Sequence, residues 1–318
     1  MYHRAVSRRR TLLVRIAAIV LIAAGLWLFV HRLAWDELGR ALARAEPWPL
    51  AGAAVLNFVH MFGMAVAWRI MLAPRYRVSA LRILRYTIAS FAASALAPAR
   101  AGELLRVWAL RRRDGVAISD GAAVALGEKL LDAVTLLALV TPMPWLLPEL
   151  PAWVGRTIFA CATLLLAAFA VLYLIVGRAD PGAPSWLARF FAGLHVVRSG
   201  RRLAAAAAML TLTWLVDLGT VTLVLDAVGL AIPVAARLCI LFALNLTSML
   251  PSTPAQVGAL ELGVLAATRM LRIPDEPAFA FALLYHAIQV IPVIGVGLVL
   301  ELPLVLGREA RSEISDPA

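Results

Sequence analysis

Ionisable side chains stand inside apolar runs that are otherwise suited to a membrane interior. The candidates are Arg100, Glu103, Arg106, Glu128, Lys129, Asp132, Asp217, Glu261 and His286. Charges are costly in hydrocarbon, so such residues rarely face lipid and usually mark a pathway or an ion pair. We predict that they line a polar cavity within the membrane. The sequence assigns no catalytic residue and no metal ligand among them.

Two of the apolar runs are broken in the same way. The stretches LAPARAGELLR (96–106) and TSMLPSTPAQVGALE (247–261) each pass from an apolar arm through proline and glycine to a glutamate. Proline removes a backbone donor and glycine allows close chain approach, which predicts turns. The predicted turn residues are Pro98, Gly102, Pro251, Pro254 and Gly258.

Glu103 and Glu261 each fall where a new helix should begin. A carboxylate there interacts favourably with the positive end of the helix dipole. Two interpretations stay open. Each glutamate caps its own helix, or the half-helix ends and charges together line a cavity that holds an anionic group on amides and arginines.

The composition indicates an integral membrane protein. Of 318 residues 62% are hydrophobic, and the mean hydropathy is +0.86. The net charge of +11 is carried almost entirely by arginine, which we interpret as a topology signal rather than a nucleic-acid surface. The two cysteines lie in apolar runs and show no disulfide or zinc spacing, and we expect no cofactor.

Uninterrupted apolar runs of about 20 residues predict transmembrane helices. They lie at 11–30, 50–72, 117–141, 153–177, 203–230 and 277–306. The first of these looks like a retained anchor, because it lacks a small-residue cleavage site. The two broken regions, 83–110 and 235–272, do not fit this description.

The charge bias predicts how the broken regions lie. The loop 73–86 has four arginines and no acid, and 111–115 reads RRRDG, so both should be cytoplasmic although the single region 83–110 separates them. A re-entrant hairpin that turns near mid-depth removes this conflict, and 235–272 would enter from the opposite face. The predicted fold is all-α, with about six full spans, two oppositely oriented re-entrant hairpins resembling an inverted repeat, and both termini cytoplasmic. Eight simple spans remain the alternative.

Three motifs, taken in order, carry a family resemblance. P-x-R-x-G-E-x-x-R (98–106), GEKLLD (127–132) and LPSTPAQVGALE (250–261) resemble the lysylphosphatidylglycerol synthase transmembrane family, also called flippase-like. The resemblance covers residues 1–318 as a single integral membrane domain. The chain departs from the family in two places. Pro-Ala-Gln-Val-Gly replaces the usual Pro-Gly-Gly-x-Gly, and His286 stands where many members carry arginine.

The resemblance implies movement of a lipid across the bacterial inner membrane. The candidate substrates are a phospholipid, a glycolipid or a hopanoid-type lipid. The family's soluble synthase domain is absent, so a self-contained synthase is not expected. Two alternatives stay open: a membrane-embedded lipid-modifying transferase that uses paired carboxylates, and a non-catalytic scaffold that binds lipid-biosynthesis enzymes. No nucleotide-binding motif supports the enzyme. Membrane lipids are the expected partners, nucleic acid is not, and the oligomeric state is left open.

Overall fold

All regular secondary structure in the described residues is helical. The computed structural model describes residues 35–73, 75–96, 102–178, 190–191, 193–194, 199–248 and 256–305. The helices are α1 (Trp35–Arg44), α2 (Pro47–Leu72), α3 (Ala80–Leu96), α4 (Gly102–Asp114), α5 (Ile118–Val140), α6 (Met143–Leu146), α7 (Ala152–Arg178), α8 (Gly200–Ala227), α9 (Val234–Ser248), α10 (Ala259–Met270) and α11 (Asp275–Val305).

Within these ranges, four helices are long and apolar enough to cross a membrane. They are the segments Pro47–Leu72, Ala152–Val176, Gly200–Ala227 and Asp275–Leu300, and they correspond to four of the predicted spans. The predicted span 117–141 is the 23-residue α5, which is long enough to cross but carries four ionisable side chains. The predicted span 11–30 lies outside the described residues.

Helices α2 and α8 form an antiparallel pair in close contact. The Glu46 backbone N–H donates to the Ala227 carbonyl at 3.0 Å, so the start of α2 meets the end of α8. Further along, a Cβ added to Gly63 would clash with Cγ2 of Thr213. Small residues at such positions let helix backbones approach closely inside a membrane.

Helices α3 and α4 form the first hairpin, whose turn at 97–101 lies outside the described residues. At its base Arg82 forms an ion pair with Asp114, and the Tyr86 hydroxyl donates to the same carboxylate at 2.9 Å. Near the turn, the Ser90 hydroxyl donates to the Gly102 carbonyl at 2.8 Å, and a Cβ on Gly102 would clash with the Ser90 carbonyl. Gly102, predicted in the turn, is therefore the first residue of α4 and makes a tight helix contact.

Helices α9 and α10 form the second hairpin and pack against each other. At the start of α9, Arg237 lies 3.6 Å from Asp226 at the end of α8. At the end of α10, Arg269 pairs with Asp275 at the start of α11, at 2.8 Å. Both ends of this hairpin therefore lie at one end of the molecule.

The base of the first hairpin lies at the other end of the molecule. There Asp120, at the start of α5, accepts from Arg75 at 2.8 Å and from the Tyr76 hydroxyl at 2.7 Å. Burial, with the Asp120 hydrogen bond, raises the pKa of the Tyr76 phenol above its ordinary value, so it stays a neutral donor. We call this end the basic end, because it carries Arg75, Arg77, Arg82, Arg111, Arg112, Arg113, Arg201 and Arg202.

Candidate functional site

Polar and charged side chains from α2, α4, α5, α8, α10 and α11 gather at mid-length of the long helices, and we call this group the polar belt. At a rise of about 1.5 Å per residue, Glu128 lies about 15 Å from the start of α5. By the same rise His286 lies about 16 Å from the start of α11, which begins at the opposite end. Both positions are therefore about half the thickness of a roughly 30 Å hydrocarbon core away from the end of the bundle at which their helix starts.

The most buried ion pair of the belt joins Arg106 of α4 to Glu128 of α5. Their side chains are 4% and 1% exposed, and Nη2 of Arg106 lies 2.8 Å from Oε2 of Glu128. The guanidinium stacks on Trp68 of α2, with Cζ 3.9 Å from the ring centroid. This cation–π contact partly compensates the charge for its lost hydration. Glu128 thus forms an ion pair, one of the two roles expected of a charge in an apolar run, and its partner is Arg106.

This pair leaves hydrogen-bonding capacity unused. Among the described residues, Nε and Nη1 of Arg106, Oε1 of Glu128 and Nε1 of Trp68 are buried without a hydrogen-bond partner. A buried polar atom without a hydrogen bond costs about 1–3 kcal/mol of stability, so such atoms in native proteins usually have a partner. Guanidinium N–H groups bind phosphate and carboxylate oxygens, and a carboxylate oxygen accepts from hydroxyl or ammonium groups.

A second ion pair lies beside the first and is open to the surroundings. Lys129 Nζ lies 3.1 Å from Oε1 of Glu103, and the side chains are 44% and 39% exposed. Glu103 occupies the first turn of α4, as predicted. The belt thus has a buried pair and a half-exposed pair side by side between α4 and α5. Half-exposed charges near mid-membrane require a polar surface next to them.

Glu261 of α10 makes two contacts, and the first is the helix cap that one interpretation of the sequence expected. Its Oε2 accepts from the Gly258 backbone N–H at 2.7 Å, which caps the helix. Its Oε1 lies 2.6 Å from Nδ1 of the buried His286. The same carboxylate therefore caps α10 and ties the second hairpin to α11.

The approach to this cap contains left-handed backbone. Gly258 has φ +90° and Gln256 has φ +65°. Glycine adopts positive φ without steric cost, whereas glutamine does not. Gln256 stands where the resembling pattern Pro-Gly-Gly-x-Gly has glycine, and it adopts a backbone conformation that favours glycine.

Asp217 of α8 is buried next to α11. Its Oδ1 accepts from the Tyr285 hydroxyl at 3.0 Å and from Nε2 of Gln289 at 3.4 Å. On α5, the Asp132 carbonyl accepts from the Trp214 indole N–H at 3.2 Å. Trp214 lies one turn before Asp217 on α8, so this hydrogen bond connects the helices that carry the two aspartates. The hydrogen-bond donors to Asp217 are therefore neutral side chains.

The structure brings most of the predicted site residues together, but not all can be placed. Arg100, Pro98, Pro251 and Pro254 lie outside the described residues. No group of three or more His, Cys, Asp or Glu that could hold a metal occurs in the described part of the chain. Sequence reasoning missed Trp68 and Tyr285, because an aromatic residue in an apolar helix gives no signal until its charged neighbour is known.

These features define a class of protein: a multi-pass helical membrane protein with a charged interior. The model of the lysylphosphatidylglycerol synthase TM region matches residues 15–297, so the chain belongs to that family. The resemblance drawn from the three motifs is confirmed. Membership associates the protein with lipid-related processes in a membrane. A comparison with curated proteins finds no match.

Proposed function

We propose that the protein moves a lipid across the bacterial inner membrane, with the headgroup passing through the polar belt. The substrate class is a phospholipid, glycolipid or hopanoid-type lipid. The observation that carries the proposal is that two ion pairs lie side by side at mid-depth. One is buried and has unused hydrogen-bond donors, and the other is half-exposed. A headgroup can enter at Glu103 and Lys129 and bind at Arg106 and Glu128, while its acyl chains remain in lipid.

The proposed topology has six full spans and two re-entrant hairpins that enter from opposite faces. The hairpin helices contain 17, 13, 15 and 12 residues, fewer than the 20 or so that a span needs. The two hairpin bases lie at opposite ends of the helix bundle, which supports this arrangement. The positive-inside rule assigns the basic end, and with it both termini, to the cytoplasm.

Reconstitution tests the proposal. The protein is placed in liposomes that contain phosphatidylglycerol with a fluorescent acyl chain, and membrane-impermeant dithionite reports how fast the probe changes leaflet. We expect the wild type to accelerate this movement, and Arg106→Gln to abolish the acceleration. Arg111→Gln is the matched control, because Arg111 lies on the same helix but is exposed at the basic end. A fluorescent glycolipid serves as the second probe.

A double variant separates a headgroup site from a purely structural ion pair. Replacing a buried ion pair by apolar residues of similar size is often neutral or stabilising. Arg106→Met with Glu128→Leu should therefore fold and melt like the wild type but move no lipid. If this variant moves lipid at the wild-type rate, the pair only holds helices together and the proposed path is wrong.

Three further outcomes decide between the proposal and its alternatives. If wild-type protein accelerates neither probe, translocation of these lipids is refuted. A change in the mass of a lipid during incubation would instead indicate a transferase. Full cellular function with both ion pairs neutralised would indicate a scaffold.

A further inference from the structure

Asp217 is a buried carboxylate held by neutral side chains. Gln289 donates to the Tyr285 hydroxyl at 2.8 Å, and both residues donate to Oδ1 of Asp217. Asp217 is 6% exposed, and in the described part of the chain it forms no ion pair with lysine or arginine. By the helix rise, it lies about 15 Å from the end of α8, which is about half the thickness of a hydrocarbon core.

In the described part of the chain no lysine or arginine of the packed helices pairs with Asp217. On α2, His60 lies close enough to interact electrostatically with Asp217, and its Nδ1 is 3.1 Å from the Thr213 carbonyl one turn before Asp217. On α5 the nearby ionisable group is Asp132, a second acid, whose carbonyl accepts from Trp214. The remaining neighbours are paired elsewhere: on α11, His286 contacts Glu261, and on α9, Arg237 pairs with Asp226.

A carboxylate in this setting needs either a cation or a proton. Burying an uncompensated charge costs several kcal/mol, whereas a neutral carboxyl needs only hydrogen bonds such as those from Tyr285 and Gln289. Acidic residues inside transmembrane bundles are found in the proton relays of pumps and transporters. Asp217 thus has the surroundings of a group that alternates between protonated and ionised forms.

We propose that Asp217 is a proton-binding site that couples lipid movement to the proton gradient, an inference that rests on the proposed function. A proton from water at one face binds a carboxylate oxygen of Asp217, and the same proton leaves to water at the other face. No other reactant is consumed. Asp132 provides the link, because it lies one turn after Glu128 on α5 and its carbonyl accepts from Trp214, one turn before Asp217 on α8. A change at Asp217 can thus reach the helix that carries the Arg106–Glu128 pair.

Two measurements on the full chain test this site. Infrared difference spectra between acid and alkaline pH, recorded on the purified protein in detergent, detect the carbonyl stretch of a protonated carboxyl. In proteoliposomes, the rate of movement of the phosphatidylglycerol probe is compared with and without an imposed pH gradient. The variants are Asp217→Asn and Tyr285→Phe. The control is Asp226→Asn, because Asp226 lies on the same helix but is exposed.

The proposal expects a carboxyl band that disappears in Asp217→Asn, shifts in Tyr285→Phe and persists in Asp226→Asn. It also expects a pH gradient to change the rate of lipid movement in the wild type and in Asp226→Asn but not in Asp217→Asn. An unchanged band in Asp217→Asn overturns the proton site, whatever happens to lipid. If the imposed pH gradient does not change the rate of lipid movement in the wild type, the coupling is overturned and the proposed function stands. A wild type that moves no lipid refutes the proposed function, and with it the coupling.

Discussion

The turn before α10 contains a glutamine in left-handed backbone, Gln256 at φ +65°. This conformation costs a non-glycine residue about 1–2 kcal/mol. We predict that Gln256→Gly raises the unfolding temperature above that of Gln256→Ala, with a difference of about 1 kcal/mol in stability. Thermal unfolding of the purified variants in detergent measures it.

Comparing glycine with alanine at position 256 isolates the backbone, because both variants remove the glutamine side chain and its contacts. The reverse change at Gly258, with φ +90°, provides the companion measurement. Gly258→Ala should destabilise the protein. Equal stability of the glycine and alanine variants at position 256 would show that the turn relaxes out of the left-handed region.

Residue types were predictable from the sequence, whereas their partners were only partly so. A carboxylate in an apolar run must find a partner, and this rule alone singles out Glu128 and Asp217. Which partner each finds depends on the rotation of two helices about their axes, which a single sequence does not encode locally. Glu128 therefore has a cation that itself stacks on an aromatic ring, whereas Asp217 has neutral donors.

At the scale of elements, the contact between α2 and α8 depends on the absence of a side chain at Gly63. A Cβ there would clash with Cγ2 of Thr213. We predict that Gly63→Ala destabilises the protein by about 1–3 kcal/mol, the usual cost of overpacking. Adding Thr213→Ser removes that methyl group and keeps the hydroxyl, which donates to the Leu210 carbonyl at 2.7 Å.

The double variant should regain the stability that Gly63→Ala loses, because alanine also favours helix more than glycine does. Thermal unfolding of the wild type, both single variants and the double variant completes the cycle. Additive effects of the two changes would mean that these side chains do not meet, and would contradict the helix pairing.

Long apolar helices were the most predictable elements. The predicted spans 50–72 and 203–230 match α2 and α8 within a few residues at each end. A run of about 20 apolar residues is typical of a membrane-spanning helix, so such helices are readily predicted. The hairpin helices were predicted as regions rather than as helices with bounds. Their ends depend on proline, glycine and long-range contacts, such as that between Gly102 and Ser90, which sequence spacing does not reveal.

At the scale of the whole molecule, the proposed topology predicts which residues share a side of the membrane. The native cysteines, Cys161 and Cys239, are first replaced by alanine, and single cysteines are then introduced by Arg77→Cys, Arg112→Cys and Glu276→Cys. In intact spheroplasts, a membrane-impermeant maleimide should label only the Glu276→Cys protein. After permeabilisation it should label all three, because all three native positions are exposed.

Arg77 and Arg112 flank the first hairpin, so their agreement is the decisive result. Reaction of both from the cytoplasmic side supports a hairpin that enters and returns. Reaction from opposite sides would require the chain to cross the membrane between them, and would favour the eight-span alternative.

Lys129 is the only lysine in the 318 residues. Apart from the amino terminus, it is therefore the only primary amine in the chain, and it lies half-exposed in the polar belt beside Glu103. An amine-reactive reagent would consequently modify one internal position without any engineering of the sequence. A reagent that partitions into lipid can reach it while a water-soluble one of the same reactivity cannot, unless water enters the belt. Modification of Lys129 by a water-soluble amine reagent therefore reports whether water reaches the polar belt.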